Sequence, residues 1–169
     1  RITLEPGEAI FMKSGMLHAY LHGVGVEIMA NSDNVLRGGL TSKHIDVPEL
    51  MHVVQFDALL DPIAPAENVV LSSHGIVPAE GIETVEYLIP VPEFRLSRSH
   101  LAPCRESHLG IEGPFIVLVT EGTVTLTSRE CPEGLSVSAG HAAWVGAWED
   151  RPTIATGENS ATVFIARVP

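Results

Sequence analysis

In the run "KSGMLHAYLHGVGVEIM", Lys13 to Met29, four side chains able to do chemistry sit at strand spacing: His18, Tyr20, His22 and Glu27. Alternate residues of a strand point to the same face, so His18, Tyr20 and His22 share one. A hairpin turning at Gly23 to Gly25 brings Glu27 to that face too, opposite Tyr20 or His22 depending on the turn. Such a face is polar where a core strand is normally apolar, and buried polar groups must be paired or bound to something. The arrangement suits a metal-site strand. Only 17 residues precede His18, and none of them supplies an obvious companion ligand.

The elements that must carry these residues are mostly short strands. Residues 1–30 alternate apolar runs with Gly and Pro ("ITL", "EPGE", "AIFM", "KSG"), which predicts strand-turn-strand at roughly eight-residue spacing, as in a sandwich or barrel. Asp46 followed three residues later by Glu49 forms a capping-box pattern, predicting a short helix over 47–56. Residues 57–82, with "DPIAPAE" and "GIVPAEG", read as an extended loop. From Thr84 onward the strand pattern returns, and "VTEGTVTL" carries a hairpin signal. The pattern predicts an all-β dominated fold, a sandwich or barrel of two β-rich parts, 1–56 with one short helix at its end and 83–169, joined by 57–82 as linker or extended loop.

Composition narrows the partners. A formal charge of −11 over 169 residues disfavours nucleic acid and anionic membranes, which call for basic patches. A small anion is still compatible, because one or two local cations dominate at short range. Apolar residues make up 45% and aromatics only 5%, with Val, Ile and Leu prominent, as short buried strands require. Cys104 and Cys131 are too few for a disulfide framework, and neither a signal peptide nor a bilayer-length apolar run is seen. A reduced, cytoplasmic setting is expected. The chain opens on Arg1 and runs straight into "ITL", which reads as a fragment or processed product.

The run "GEAIFMKSGMLH" resembles the second cupin motif: Gly7, Gly15 and His18 hold their places, while Lys13 replaces the usual Pro and His22 a usual Asn. The wider stretch "GEAIFMKSGMLHAYLHGVGVEIMANSDNVLRGGLTSKHIDV" resembles the signature of type I mannose-6-phosphate isomerases, zinc-dependent cupins, and the likeness continues more loosely through "PVPEFRLSR" to the C-terminal strands. The resemblance implies a cupin-type β-sandwich or jelly roll, with 1–56 as closing strands of a catalytic cupin plus the short helix and 83–169 as a second, cupin-like β domain. With that fold it implies an aldose-ketose isomerase that uses zinc and a phosphosugar. It implies that His18 is a zinc ligand, Tyr20 lines the substrate pocket and Lys43 is a cation near the sugar phosphate. It places Glu27 and Asp33 in the active-site surroundings and implicates Arg37 in catalysis. It also implies that a Gln-x-His pair and a Glu from an upstream strand pair complete the zinc site. The chain is therefore expected to be the C-terminal part of such an enzyme, partnered by the missing N-terminal part and inactive alone. The second β region is expected to be metal-free, because Gly146, Trp148 and Arg151 stand where cupin spacing from Gly140 would put Pro, Gly and His.

Several residues have plainer readings. Glu27 also fits a solvated edge carboxylate, Arg37 and Lys43 ordinary surface charges, His22 a peripheral turn neighbour and His52 a packed helix residue. His100, Cys104 and His108 recur every four residues, but Pro103 inside the run argues against a metal site on a helix. Trp144 and Trp148 fit barrel filling or, if exposed, a sugar platform. The competing functional reading is a non-catalytic cupin-like module that binds sugar or protein and lacks a metal site.

Overall fold

A computed structural model describes residues 1–31, 35–58, 62–68 and 75–169. Asp33, one of the predicted site residues, lies outside the described residues. The strands are β1 (Ala9–Ile10), β2 (Ile63–Ala64), β3 (Ala66–Asn68), β4 (Ile82–Tyr87), β5 (Arg95–Leu101), β6 (Glu106–His108), β7 (Phe115–Glu121), β8 (Thr123–Thr127), β9 (Leu135–Ser138), β10 (Ala142–Val145), β11 (Thr153–Thr156) and β12 (Ala161–Arg167). One helix, α1 (Val47–Val53), lies among them.

Strict alternation in the second half of the chain builds two antiparallel sheets. One has the order β10-β7-β12-β5-β4-β3, the other β6-β11-β8-β9. Their inner faces carry one core, including Leu101, Phe115, Val117, Val119, Val124, Ile154, Val163 and Ile165, all nearly or wholly inaccessible. At roughly 25 cal/mol for each Å² of apolar surface removed from water, this set of side chains dominates the stability of the described chain. The core begins at Ile76, so the stretch read as a plain linker contributes to it; β3 within that stretch also adds an edge strand beside β4.

The "VTEGTVTL" hairpin does not form. The strands flanking Gly122 belong to different sheets: β7 pairs with β10 and β12, whereas β8 pairs with β9 and β11. Gly122 makes a corner. It has φ +73, and a Cβ there would stand 2.2 Å from the carbonyl oxygen of Ser160. The neighbouring backbone therefore excludes any other residue, and the chain turns from one layer into the other.

The first part of the chain also departs from expectation. Only Ala9–Ile10 enters a ladder, with Ile63–Ala64, and the chain bends at His22–Gly23 without strand pairing there among the described residues. Alternation can make a segment extended, but a strand also needs a partner for its amides, and β2 offers only two residues. None of the described residues among 1–58 is buried.

The helix forms as its cap predicts. Asp46 Oδ1 accepts the Glu49 amide at 3.1 Å, Pro48 stands in the first turn, and the helix stops at Val53. Its exit turns back to the chemistry-bearing segment, where the Gln55 amide donates to the Gly15 carbonyl at 2.9 Å.

One polar pair sits inside the sandwich. Thr84 and Ser99 face each other across β4 and β5, with hydroxyl oxygens 2.8 Å apart and both residues buried. Ser99→Ala should cost about 1–3 kcal/mol, because the Thr84 hydroxyl is left buried without that partner. Thr84→Val combined with Ser99→Ala should recover most of that loss, as read from chemical denaturation midpoints.

Candidate functional site

The turn Glu5-Pro6-Gly7-Glu8 starts the site-bearing segment. The Glu8 amide donates to Glu5 O at 3.0 Å, and the Glu5 amide returns a bond to the Glu8 carboxylate at 2.8 Å. Pro6 presets the first corner, and Gly7 takes φ +90, which residues bearing a Cβ adopt at a cost. The chain then runs through β1 to Gly15, docks on the end of α1, and reaches His18 three residues later.

Three of the predicted residues come together here. The His18 and Tyr20 rings meet edge to face with centroids 5.7 Å apart. The Glu27 carboxylate lies near Tyr20, and the Tyr20 phenol is pushed above its ordinary value by partial burial, then by the negative charge of Glu27. His18, Tyr20 and Glu27 are thus neighbours, but the hairpin ladder expected to give them a common face is not formed among the described residues. Loop packing brings the three together. His18 Nδ1 is 3.2 Å from the Met16 carbonyl. A carbonyl can only accept, so Nδ1 is the donor in this contact and Nε2 is the ring nitrogen left to other partners.

Arg37 is exposed on a strand-free stretch, and its neighbour Gly38 is pressed on Leu17, where a Cβ would come within 2.7 Å of a leucine methyl. That contact brings the Arg37 segment against the His18 segment. Lys43 is exposed on a turn closed by its own amide donating to Thr41 Oγ1 at 3.1 Å. Among the described residues, no hydrogen bond or ion pair joins Lys43 to the His18 group.

The remaining candidates separate. His100 lies in β5 beside Thr162, Cys104 in a left-handed turn with φ +54, and His108 in β6 of the other sheet, so the four-residue repeat never shares a face. Trp144 and Trp148 are 59% and 70% exposed and do not fill the sandwich. The ring of Trp148 folds over Gly146, where a Cβ would meet it at 2.5 Å. His52 is exposed on α1 with Nδ1 3.8 Å from the Glu49 carboxylate, a contact of the solvated surface rather than of a packed interior. Shallow grooves of about 270 and 240 Å³ lie at Leu135–Ala142 and beside Gly122 and Asn159; neither is lined by the His18 group.

A zinc ion needs four ligands, or three and a water. Among the described residues no group of three or more His, Cys, Asp or Glu stands together. His18 offers one imidazole, and the described residues by themselves do not fit a zinc site.

Sequence reading missed two residues that hold this segment in place, Tyr87 and Arg98. The Tyr87 hydroxyl donates to the Gly7 carbonyl at 2.9 Å, and the Arg98 guanidinium occupies the space a Gly7 Cβ would need. They lie 80 and 91 residues from Gly7, beyond the reach of any local pattern.

Two layered antiparallel sheets, one short helix and a histidine-bearing segment after a Gly-x7-Gly-x2-His run define a cupin-type β-protein. Comparison with known proteins narrows this further. No family model matches the chain. It is 37% identical over 92% of its length to a mannose-6-phosphate isomerase of Salmonella typhimurium and 35% identical over 96% to that of Escherichia coli. The human mannose-6-phosphate isomerase is 31% identical over 98%. A solved phosphomannose isomerase variant from Salmonella typhimurium superposes on 82% of the chain with a TM-score of 0.58 at 28% identity, using 32% of its own length. Over nearly its whole length the chain is similar to one part of mannose-6-phosphate isomerases. It spans 36–38% of the length of these curated relatives.

The contact between Glu27 and Tyr20 is directly testable. Removing the carboxylate charge removes a term that opposes phenolate formation, so Glu27→Gln should lower the Tyr20 pKa toward its ordinary value. Ultraviolet titration, with Tyr20→Phe to assign the signal, reads the shift.

Proposed function

We propose that this chain contributes to the interconversion of mannose 6-phosphate and fructose 6-phosphate. The observation that carries the reading is likeness to mannose-6-phosphate isomerases along 92–98% of the chain, site-bearing segment included. The chain spans just over a third of those relatives, so the activity is proposed for a protein that also carries the portion not matched here.

Aldose-ketose isomerisation moves a proton between C1 and C2 through an enediol-like intermediate. It needs a base within hydrogen-bond reach of that proton and positive charge near the developing oxyanion. Glu27 and Asp33 are the carboxylates assigned to proton transfer, and Arg37 is the cation assigned to the reacting centre. Lys43 binds the phosphate and Tyr20 lines the sugar; holding the phosphate fixes the reacting carbons against the base. Zinc belongs to this reading, with His18 giving one bond and the other ligands coming from beyond the described residues. Two free cysteines accord with a reducing, cytoplasmic setting. The excess of acidic groups accords with a small phosphosugar, rather than nucleic acid or membrane, as partner.

The test is a coupled assay of mannose 6-phosphate isomerisation, with metal analysis, on a protein containing this chain together with the unmatched portion. His18→Ala should lower bound zinc below one per chain and reduce kcat/KM by 100-fold or more, the order seen when an electrostatic catalytic group is lost. A zinc-free, inactive protein that still binds sugar would instead support the non-catalytic module.

A further inference from the structure

No described residue of the site-bearing segment is buried in this chain, and the contacts that tie it to the sandwich are few. Those contacts converge on one place. Tyr87, at the end of β4 and 3% exposed, donates its hydroxyl to Gly7 O at 2.9 Å. Arg98, in the adjacent strand β5, packs its guanidinium on Gly7: a Cβ there would stand 2.0 Å from one terminal nitrogen, 2.6 Å from the central carbon and 2.9 Å from the other nitrogen. Arg98 also sits close enough to Tyr87 for its charge to offset part of the rise that burial causes in the phenol pKa. Among the described residues Arg98 takes part in no ion pair. The second tie lands nearby. β1 pairs with β2, and the next residue, Pro65, accepts the Leu88 amide at 2.8 Å, one residue past Tyr87.

We propose that Tyr87 and Arg98 are positioning residues: they clamp the Glu5–Glu8 turn to the six-stranded sheet and thereby set where His18, Tyr20 and Glu27 stand. The second β domain is then a scaffold for a site it does not itself contain. The path is continuous. The Gly7 turn leads through β1 to Gly15, which is bonded to Gln55 after α1, and from there to His18. Gly7 is required twice, for its φ of +90 and because Arg98 fills the space beside it. The inference rests on the proposed isomerase reading only for what the His18 segment is held to do; the clamp itself stands on geometry.

The test uses the 169-residue chain. Tyr87→Phe keeps the ring and removes the bond to Gly7. Amide exchange over residues 5–12 should quicken about fivefold, the worth of one net hydrogen bond. The His18 Cε1–H proton signal should move toward the value it takes in Tyr20→Leu, which lacks the neighbouring ring, as the edge-to-face contact is lost, while exchange in β7 and β12 stays unchanged. Arg98→Ala should release the same residues, and it serves if Tyr87→Phe fails to fold. Gly7→Ala combined with Arg98→Ala should lose less protection than the two single changes added together, because the double variant no longer clashes. Unchanged exchange over 5–12 with an unmoved His18 signal would overturn the proposal. So would a loss of protection spread evenly through the sandwich, which would make Tyr87 a general core residue. Isomerase activity enters neither outcome, so failure of the clamp and failure of the proposed function are separate results.

Discussion

The last strand joins the two halves of the larger sheet. β12 lies between β5 and β7 and pairs with both over nearly its whole length, with Ala161, Val163 and Ile165 turned into the core. Until β12 arrives, the six-stranded sheet is two separate pieces, and the inner face over which the second sheet packs is split. Burial of that shared face is the main stabilising term available to the described chain, and all other ties are small beside it. The pairing spans long sequence separations, so loops must close before any contact rewards them.

The proposed site lies elsewhere. His18, Tyr20, Glu27, Arg37 and Lys43 all lie in the stretch that has no buried residue among those described. Large apolar side chains there face outward, among them Leu17, Leu21, Met51 and Phe56. The segment gains its order from β1–β2, from α1, and from the contact of Gly7 with Tyr87 and Arg98. A site suspended from a rigid sandwich by a handful of bonds can be well placed and still be the first part to open, because local stability follows local burial.

What was legible in the sequence follows from how local each cause is. Helix α1 was readable because Asp46, Pro48 and Glu49 act within one turn. The strands after Thr84 were readable because alternation marks the face that will be buried. The meeting of His18, Tyr20 and Glu27 was anticipated, though loop packing and not a ladder produces it. The hairpin at Gly122 was misread for an instructive reason. A glycine between two apolar runs says that the chain turns, but not whether the second run pairs with the first or crosses to the other sheet. That depends on strands further along the chain, β10 and β12 for the first run and β9 and β11 for the second. The strands expected over 1–30 failed similarly, since a strand's partner is never written in its own residues. The Tyr87–Gly7 bond joins positions 80 apart and had no local signal at all.

The central claim is that one sandwich supplies the stability while a weakly buried segment carries the site. Hydrogen exchange of the unaltered chain, followed strand by strand, tests this most directly. Amides of β5, β7 and β12 should exchange only through global opening, with residues 1–58 at least about 100-fold faster, the spread expected between core and sub-global opening. Equal protection of residues 1–58 and the sandwich strands would contradict the account, because it would mean that the site segment shares the core after all.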